Sequence, residues 1–307
     1  MINKLLLGSV LFFSVISFAM GAEPPEGRPV IGTDDLDTWG DMCPKEPILD
    51  GVSTKYGHTV VLVDTTSGFG KVQKVLLDNM VLGEEVLWQN LPYDRLSILL
   101  LDGKKGQATQ NKFIFSKCRP LSGKASSPHK IDRPTYWNPV GPMKVNWTIY
   151  KTSLAEKKKM LEVGTQGNFT QLIEQIKELS RAKHLRFDAT SNYASRKLII
   201  VSDLQQYSDN IAFDCNKKKC RSWASIKKDK KNQSWIDSMT PKFYTDEKGD
   251  SSITPLFDNK PIEVEIIFFN AIVDPKLTKG LKEIWEDYFA EIGITDIHFE
   301  YDTSTIL

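Results

Sequence analysis

The sequence predicts an α/β fold with a mainly parallel sheet and helices on both faces. Two short, largely apolar runs, Thr59–Val63 and Lys197–Ser202, have the composition of strands that are buried on both sides of such a sheet. Each run is followed directly by an aspartate, Asp64 or Asp203. Between the two runs, apolar residues recur at helical spacing over 169–179. Together these observations favour a layered α/β domain.

The other elements follow in order along the chain. A helix is predicted from Phe69, where apolar residues recur three to four apart, and it frays near Gly83 and ends before Pro92. Further strands are predicted at 95–101, 112–115, 263–269 and 296–301, and further helices at 148–162 and 275–292. The last strand alternates apolar and polar residues, which is typical of a strand at a sheet edge.

The first 21 residues have the pattern of a secretory signal peptide. Lys4 precedes an apolar run from Leu5 to Ala19, which is too short for a good membrane span, and small residues follow at cleavage spacing. The alternative is an uncleaved amino-terminal anchor. After cleavage we expect no integral membrane segment, because no later stretch approaches about 18 apolar residues. The protein is therefore expected to be periplasmic or secreted.

One domain is favoured over two small ones, because the strand and helix signals continue without a Gly/Ser linker or a repeat. The charge balance gives no general affinity for polyanions. Removal of Lys4 with the signal leaves 39 basic and 39 acidic residues, which gives no overall attraction to nucleic acid or anionic membranes. Residues 22–53 are rich in Pro, Gly and Asp and are expected to form an extended lead-in. Residues 54–307 then form one domain with insertions at about 121–143 and 210–260. The first insertion is expected to be a long irregular surface loop.

Four cysteines in an exported chain predict disulfides rather than a metal site. Four cysteines allow three pairings. Cys215 and Cys220 enclose only Asn-Lys-Lys-Lys, and local loops close most readily. We therefore expect a Cys215–Cys220 bond, with Cys43 and Cys118 as the second pair.

The segment after the first strand, Asp-Thr-Thr-Ser-Gly, contains one carboxylate and several hydroxyls. Such groups at the carboxyl end of a central strand lie where open α/β sheets bind ligands. The segment resembles the metal-site loop of the von Willebrand factor A family, whose pattern is Asp-x-Ser/Thr-x-Ser after an apolar strand. Asp64 and Thr66 match the first two positions, and Gly68, which has no side chain, stands at the third.

Two further stretches extend the resemblance. Leu-Ile-Ile-Val-Ser-Asp, which ends at Asp203, is similar to the family's fourth strand, whose terminal aspartate joins the metal site. The family also uses a threonine from a loop that opens a helix. Thr170 is the preferred counterpart, because the apolar helix residues follow it directly, and Thr165 is the alternative.

The resemblance implies a von Willebrand A-type, Rossmann-like sheet whose second and third strands form a hairpin with one antiparallel edge strand. It further implies that Asp64, Thr66, Thr170 and Asp203 bind Mg²⁺ or Mn²⁺, and that a carboxylate of a protein partner completes the ion's shell. The function implied is an exported protein-binding module in adhesion or in assembly of an envelope complex. The alternative for the two aspartates is that they only cap turns and helix ends.

Catalysis has little support in the sequence, so we expect no enzyme. There is no Gly-x-Ser-x-Gly turn, no phosphate-binding Gly-rich loop, and no histidine at a suggestive spacing from an acid. A dehalogenase-type phosphatase would need a second aspartate where Thr66 stands. Two alternatives remain: a metal-dependent phosphoester hydrolase using Asp64 and Asp203, and a metal-free structural subunit of a secretion or DNA-transfer apparatus.

The segment Lys217–Lys231 contains eight basic residues, one acid and a tryptophan. It is a candidate contact for an anionic polymer such as nucleic acid, an acidic glycan or a phospholipid surface. The alternative is a solvated loop that is closed by the local disulfide.

Overall fold

A six-stranded sheet organises the chain. The computed structural model describes residues 42–43, 48–49, 52–53, 57–66, 75, 77–101, 113–136, 139–162, 170–181, 195–208, 211–213, 215–216, 219–228, 262–268, 275–292 and 294–301. The strands are β1 (Gly57–Asp64), β2 (Arg95–Leu101), β3 (Phe113–Cys118), β4 (Ser195–Ser202), β5 (Ile262–Phe268) and β6 (Ile297–Tyr301). Their order across the sheet is β3-β2-β1-β4-β5-β6.

All neighbouring strands in this sheet run parallel except β3, which pairs antiparallel with β2 at one edge. The predicted mainly parallel sheet with one antiparallel edge strand is therefore confirmed. The apolar runs form the central strands β1 and β4 because strands buried on both faces need continuous apolar sequence.

The described helices are α1 (Glu84–Gln89), α2 (Val140–Glu162), α3 (Leu172–Arg181), α4 (Trp223–Lys227) and α5 (Pro275–Glu291). A π-helical turn at Asp78–Leu82 precedes α1, and a 3-10 turn lies at Lys130–Asp132. Two short antiparallel ladders pair Ile48–Leu49 with Val52–Ser53 and Cys215–Asn216 with Lys219–Cys220.

Helices cover both faces of the sheet. In β1, Val60 and Leu62 belong to an apolar cluster that includes residues of α3 and α5, whereas Val61 and Val63 belong to a second cluster that includes residues of α2. All four side chains are fully buried. The division follows from strand geometry, because successive side chains point to opposite faces.

The segment predicted as a long surface loop at 121–143 differs from that expectation. Helix α2 begins at Val140, so the irregular part ends earlier than predicted. Pro142 lies in the first turn of α2, where a missing N–H costs no helical hydrogen bond. The preceding part is not simply exposed, because Leu121, Ser122 and Ser127 are buried.

A buried ion pair explains why this segment packs against the body. Arg119 Nη2 lies 2.6 Å from Asp132 Oδ2, Nη1 lies 3.1 Å from Oδ1, and both side chains are at most 1% exposed. The Ser122 N–H and the Ser127 hydroxyl also donate to Asp132, and Arg119 Nε donates to the Leu87 carbonyl. Burial alone would raise the pKa of Asp132, but the hydrogen bonds and charge of Arg119 outweigh it and lower that pKa.

One of the two predicted disulfides, Cys43–Cys118, is confirmed. Cys43 is bonded to Cys118, which ties the lead-in to the end of β3. Cys220 is also disulfide-bonded. In the backbone register Cys215 lies opposite Cys220, and the predicted bond between these two residues stays a prediction. A Cβ at Gly280 of α5 would lie 3.0 Å from the Cβ of Cys220, so the glycine permits the close approach of this hairpin.

The predicted signal peptide at 1–21 and most of the insertion at 210–260 lie outside the described residues, so both stay predictions. Within the described part of the chain, no helix has the length and apolar character needed to cross a membrane.

Candidate functional site

Asp64 is the last residue of β1 and lies at the carboxyl end of the central strand. On one side of β1 the strands follow in the order β2, β3, and on the other side in the order β4, β5, β6. The sequence order therefore changes direction between β1 and β4. A crevice at such a switch point is where open α/β sheets bind ligands.

The Asp64 carboxylate is fully buried and accepts three hydrogen bonds. Its Oδ1 accepts from the Thr66 N–H at 2.9 Å and from the Thr66 hydroxyl at 2.6 Å. Its Oδ2 accepts from the Ser202 hydroxyl at 2.8 Å. One carboxylate oxygen is therefore held by a residue that follows β1, and the other by the last residue of β4.

Thr170 reaches the same cluster from a distant part of the chain. Its Oγ1 lies 2.9 Å from Thr66 Oγ1. Thr170 stands just before α3, and its N–H and carbonyl both pair with the backbone of Tyr207 at 2.9 and 2.8 Å. Three of the four predicted metal ligands, Asp64, Thr66 and Thr170, therefore lie in contact.

The fourth predicted ligand, Asp203, makes a different contact. Its Oδ1 accepts the Gln205 N–H at 3.0 Å, which is the pattern of an Asx turn. From β4 it is Ser202, one residue earlier, that donates to Asp64. Asp203 as a ligand stays a prediction.

Sequence reasoning missed Ser202 because the motif at the end of the second strand pointed to the aspartate that follows it, Asp203. The register of β1 and β4 in the sheet explains the position of Ser202. Val63 pairs with Val201 in the parallel β1–β4 ladder, so the next residues, Asp64 and Ser202, are brought side by side.

Burial dominates the electrostatics of the Asp64 carboxyl. Burial raises the pKa of Asp64, and the hydrogen bonds from Thr66 and Ser202 oppose that increase only in part. Within the described residues, no Lys, Arg or His forms an ion pair with Asp64. A bound cation would favour the ionised form of this carboxyl, which burial disfavours.

The donor set fits a hard cation. The possible metal ligands in this cluster are all oxygen atoms, one pair from the Asp64 carboxylate and the others from hydroxyls. Mg²⁺ and Mn²⁺ prefer oxygen ligands. Among the described residues, no group of three or more His, Cys, Asp or Glu is arranged to bind a metal. The cluster is therefore rich in hydroxyls, with Asp64 as its one buried carboxylate.

The loop after β4 has a strained backbone. Leu204 has a φ of +59°, the left-handed region that side-chain-bearing residues rarely adopt. Its N–H donates to Ser202 Oγ at 2.9 Å, and its carbonyl accepts the indole N–H of Trp285 at 3.0 Å. Contacts from β4 and α5 thus stabilise the strained turn beside the site, as is common at functional sites.

The loop after β1 is only partly described. Thr65 turns away from the cluster, because its hydroxyl donates to the Leu101 carbonyl at 2.8 Å. Gly68, the third position of the metal-loop pattern, lies outside the described residues.

No histidine of the described chain lies at the site. His58 occupies the opposite end of β1, six residues from Asp64 or about 20 Å along a strand. Its Nε2 lies 2.9 Å from the hydroxyl of Ser97 in a buried contact. His298 lies on β6, where it pairs with Asp296.

The basic segment 217–231 lies partly outside the described residues. Lys227 Nζ lies 2.5 Å from Glu291 Oε2, so the charge of this lysine is compensated within the fold. Trp223 is buried and its indole N–H donates to the same carboxylate at 2.8 Å. An anionic polymer as a partner of this segment stays a prediction.

Comparison with known proteins leaves the family open. No family model matches the chain, and no curated protein matches it. Among solved structures, the pilus adhesin SpaC from Lactobacillus rhamnosus GG in its open conformation aligns over 82% of this chain with 11% identity and a TM-score of 0.33. The chain spans 28% of that adhesin's length. A likeness this low carries no argument about fold or function.

The raised pKa of Asp64 predicts a pH effect on stability. As the pH rises above about 3.9, the unfolded chain ionises this carboxyl before the folded chain does, so Asp64 lowers the free energy of unfolding until its folded pKa is passed. Asp64→Asn should therefore gain stability relative to wild type as the pH rises from 4. Urea unfolding in chelator at pH 4 to 8 measures this difference, with the exposed Asp287→Asn as control. A constant difference across this range would contradict the prediction.

Proposed function

We propose that the protein is an exported, von Willebrand A-like binding module that recognises a protein partner through a divalent cation at the carboxyl ends of β1 and β4. The observation that carries this proposal is the contact of Thr170 with Thr66, across 104 residues of sequence, beside the buried carboxylate of Asp64. Two threonines that bind the same ion must have their hydroxyls close together, and the hydroxyls of Thr66 and Thr170 are 2.9 Å apart.

The sheet supports the finer fold type. In a von Willebrand A-type domain the chain would run outward from the first strand to an antiparallel edge, and the order β3-β2-β1-β4-β5-β6 with antiparallel β3 agrees with that topology.

Each residue would have a distinct role. Asp64 would be the charged ligand, and Thr66 and Thr170 would contribute hydroxyl oxygens. Ser202 would orient the carboxylate, because it donates to Oδ2 whereas both hydrogen bonds from Thr66 reach Oδ1. Asp203 is proposed to join from the loop after β4.

The cation would supply positive charge at the surface of the switch point. With Asp64 as its only carboxylate ligand, a divalent ion keeps a net positive charge, and with Asp203 as a second carboxylate the charges balance. In both cases the remaining coordination positions of the ion accept an oxygen, such as a carboxylate from the partner. Thr66 and Thr170 are each 8% exposed, whereas Asp64 is fully buried, so the partner would approach from the threonine side.

The proposed setting is the periplasm or the extracellular space, in adhesion or in assembly of an envelope complex. The Cys43–Cys118 disulfide supports an oxidising compartment. A phosphoester hydrolase is less well supported, because the described site offers one buried carboxylate and no histidine base.

Capture from an envelope fraction tests the proposal. The mature wild-type chain and Asp287→Ala, which lacks an exposed acid of α5, should retain a partner in Mg²⁺ or Mn²⁺ and release it in chelator. Asp64→Ala should retain none in either condition. A partner retained equally in chelator would exclude the cation-bridged mechanism and favour the metal-free structural subunit.

A further inference from the structure

An exposed aromatic side chain, Tyr207, stands beside the proposed cation site. Its backbone exchanges both N–H···O bonds with Thr170, at 2.9 and 2.8 Å. Residues that face each other in such an antiparallel pair have Cα atoms about 5.5 Å apart and side chains on the same face. The Thr170 hydroxyl contacts Thr66. We therefore expect the Tyr207 side chain on the same face as the site. This side chain is 55% exposed.

The backbone that carries Tyr207 is fixed on both sides. Tyr207 also pairs with Ala212, and the Phe213 N–H donates to the Gln206 carbonyl at 2.9 Å. The Gln206 side chain in turn accepts the Ile173 N–H at 3.0 Å at the start of α3. An exposed aromatic ring on a rigid backbone loses little conformational freedom on binding, which is the usual character of an interface hot spot.

We propose that Tyr207 determines which partner the site accepts, namely an extended segment with an acidic residue and an apolar side chain two positions away. This inference rests on the proposed function, since the cation would bind the acid. In an extended segment, side chains two residues apart point the same way and stand about 6.8 Å apart. That spacing exceeds by about 1.3 Å the roughly 5.5 Å expected between the Cα atoms of a pair such as Thr170 and Tyr207. An apolar side chain at that position would pack on the ring.

Two synthetic peptides and two variants test this inference on the full mature chain. The peptides carry Asp-Ser-Leu or Asp-Ser-Ser in the same Gly/Ser context, and fluorescence polarisation in Mn²⁺ measures their affinity. Wild type should bind the leucine peptide at least about tenfold more tightly, as expected for a hot-spot contact. Tyr207→Ala should lose this preference and Tyr207→Phe should keep it. Tyr136→Ala, which removes another exposed tyrosine, should behave as wild type.

The outcomes separate this inference from the proposed function. A Tyr207→Ala chain that keeps the preference would overturn the role of Tyr207 and leave the cation site standing. Mn²⁺-induced thermal stabilisation without binding of either peptide would overturn the partner class. Neither stabilisation nor binding in wild type would overturn the proposed function and this inference with it.

Discussion

Replacement of Asp132 by alanine should lower the free energy of unfolding by about 3–5 kcal/mol. The variant would leave the Arg119 guanidinium buried without its counter-charge, since both side chains are at most 1% exposed. The Ser122 N–H and Ser127 hydroxyl would lose their acceptor as well. Urea unfolding followed by far-UV circular dichroism measures the loss.

The control for this prediction is an ion pair at the surface. Lys151 and Glu84 lie 2.8 Å apart but are 36% and 52% exposed, so Glu84→Ala should cost about 1 kcal/mol or less. Because the folded pKa of Asp132 is lowered, the stability that it contributes should be present above the unfolded carboxyl pKa and lost as the pH falls through the folded value. An Asp132→Ala chain no less stable than Glu84→Ala would show that the buried pair does not anchor this segment.

Asp64→Ala should abolish stabilisation by Mg²⁺ or Mn²⁺. If the site binds the cation only in the folded state, wild type gains about 2.7 kcal/mol at 100 times the dissociation constant. The variant lacks the one buried carboxylate of the cluster and should show no increase in Tm. It should still fold in chelator, because burial of Asp64 raises its pKa and thereby opposes ionisation. Asp287→Ala is the control that should keep the full increase, and an increase of equal size in Asp64→Ala would place any cation elsewhere.

The same Mg²⁺ or Mn²⁺ titration of variants at neighbouring residues should show how much each residue contributes to stabilisation by the cation. Thr170→Ala removes a proposed ligand, whereas Ser202→Ala removes only the donor that orients Oδ2. Both should weaken the cation effect without abolishing it. Asp203→Ala decides whether this residue binds the cation or serves only the turn with Gln205, since a turn role alone would leave the effect unchanged.

The strands could be predicted from sequence because burial on both faces leaves a continuous apolar signal. The prediction at 95–101 agrees with β2 at both ends. The position of Thr170 just before α3 could also be predicted, because the apolar residues of that helix follow it directly. These signals are local, and each needs only a few neighbouring residues.

Other features depend on contacts that no local pattern contains. The start of α2 was missed because Val140-Gly141-Pro142 has the composition of a loop, although proline is compatible with a first helical turn. The Arg119–Asp132 pair joins charged residues 13 positions apart without any periodicity, so the burial of the segment between them could not be anticipated. Ser202 required the register of two strands that are distant in sequence.

The number of Mn²⁺ ions bound per chain tests the central claim most directly. Equilibrium dialysis of the mature protein at neutral pH should give one specific site in wild type, weaker binding in Thr170→Ala, and loss of that site in Asp64→Ala. Retention of the site in Asp64→Ala, or absence of any site in wild type, would contradict a cation centre at the carboxyl ends of β1 and β4.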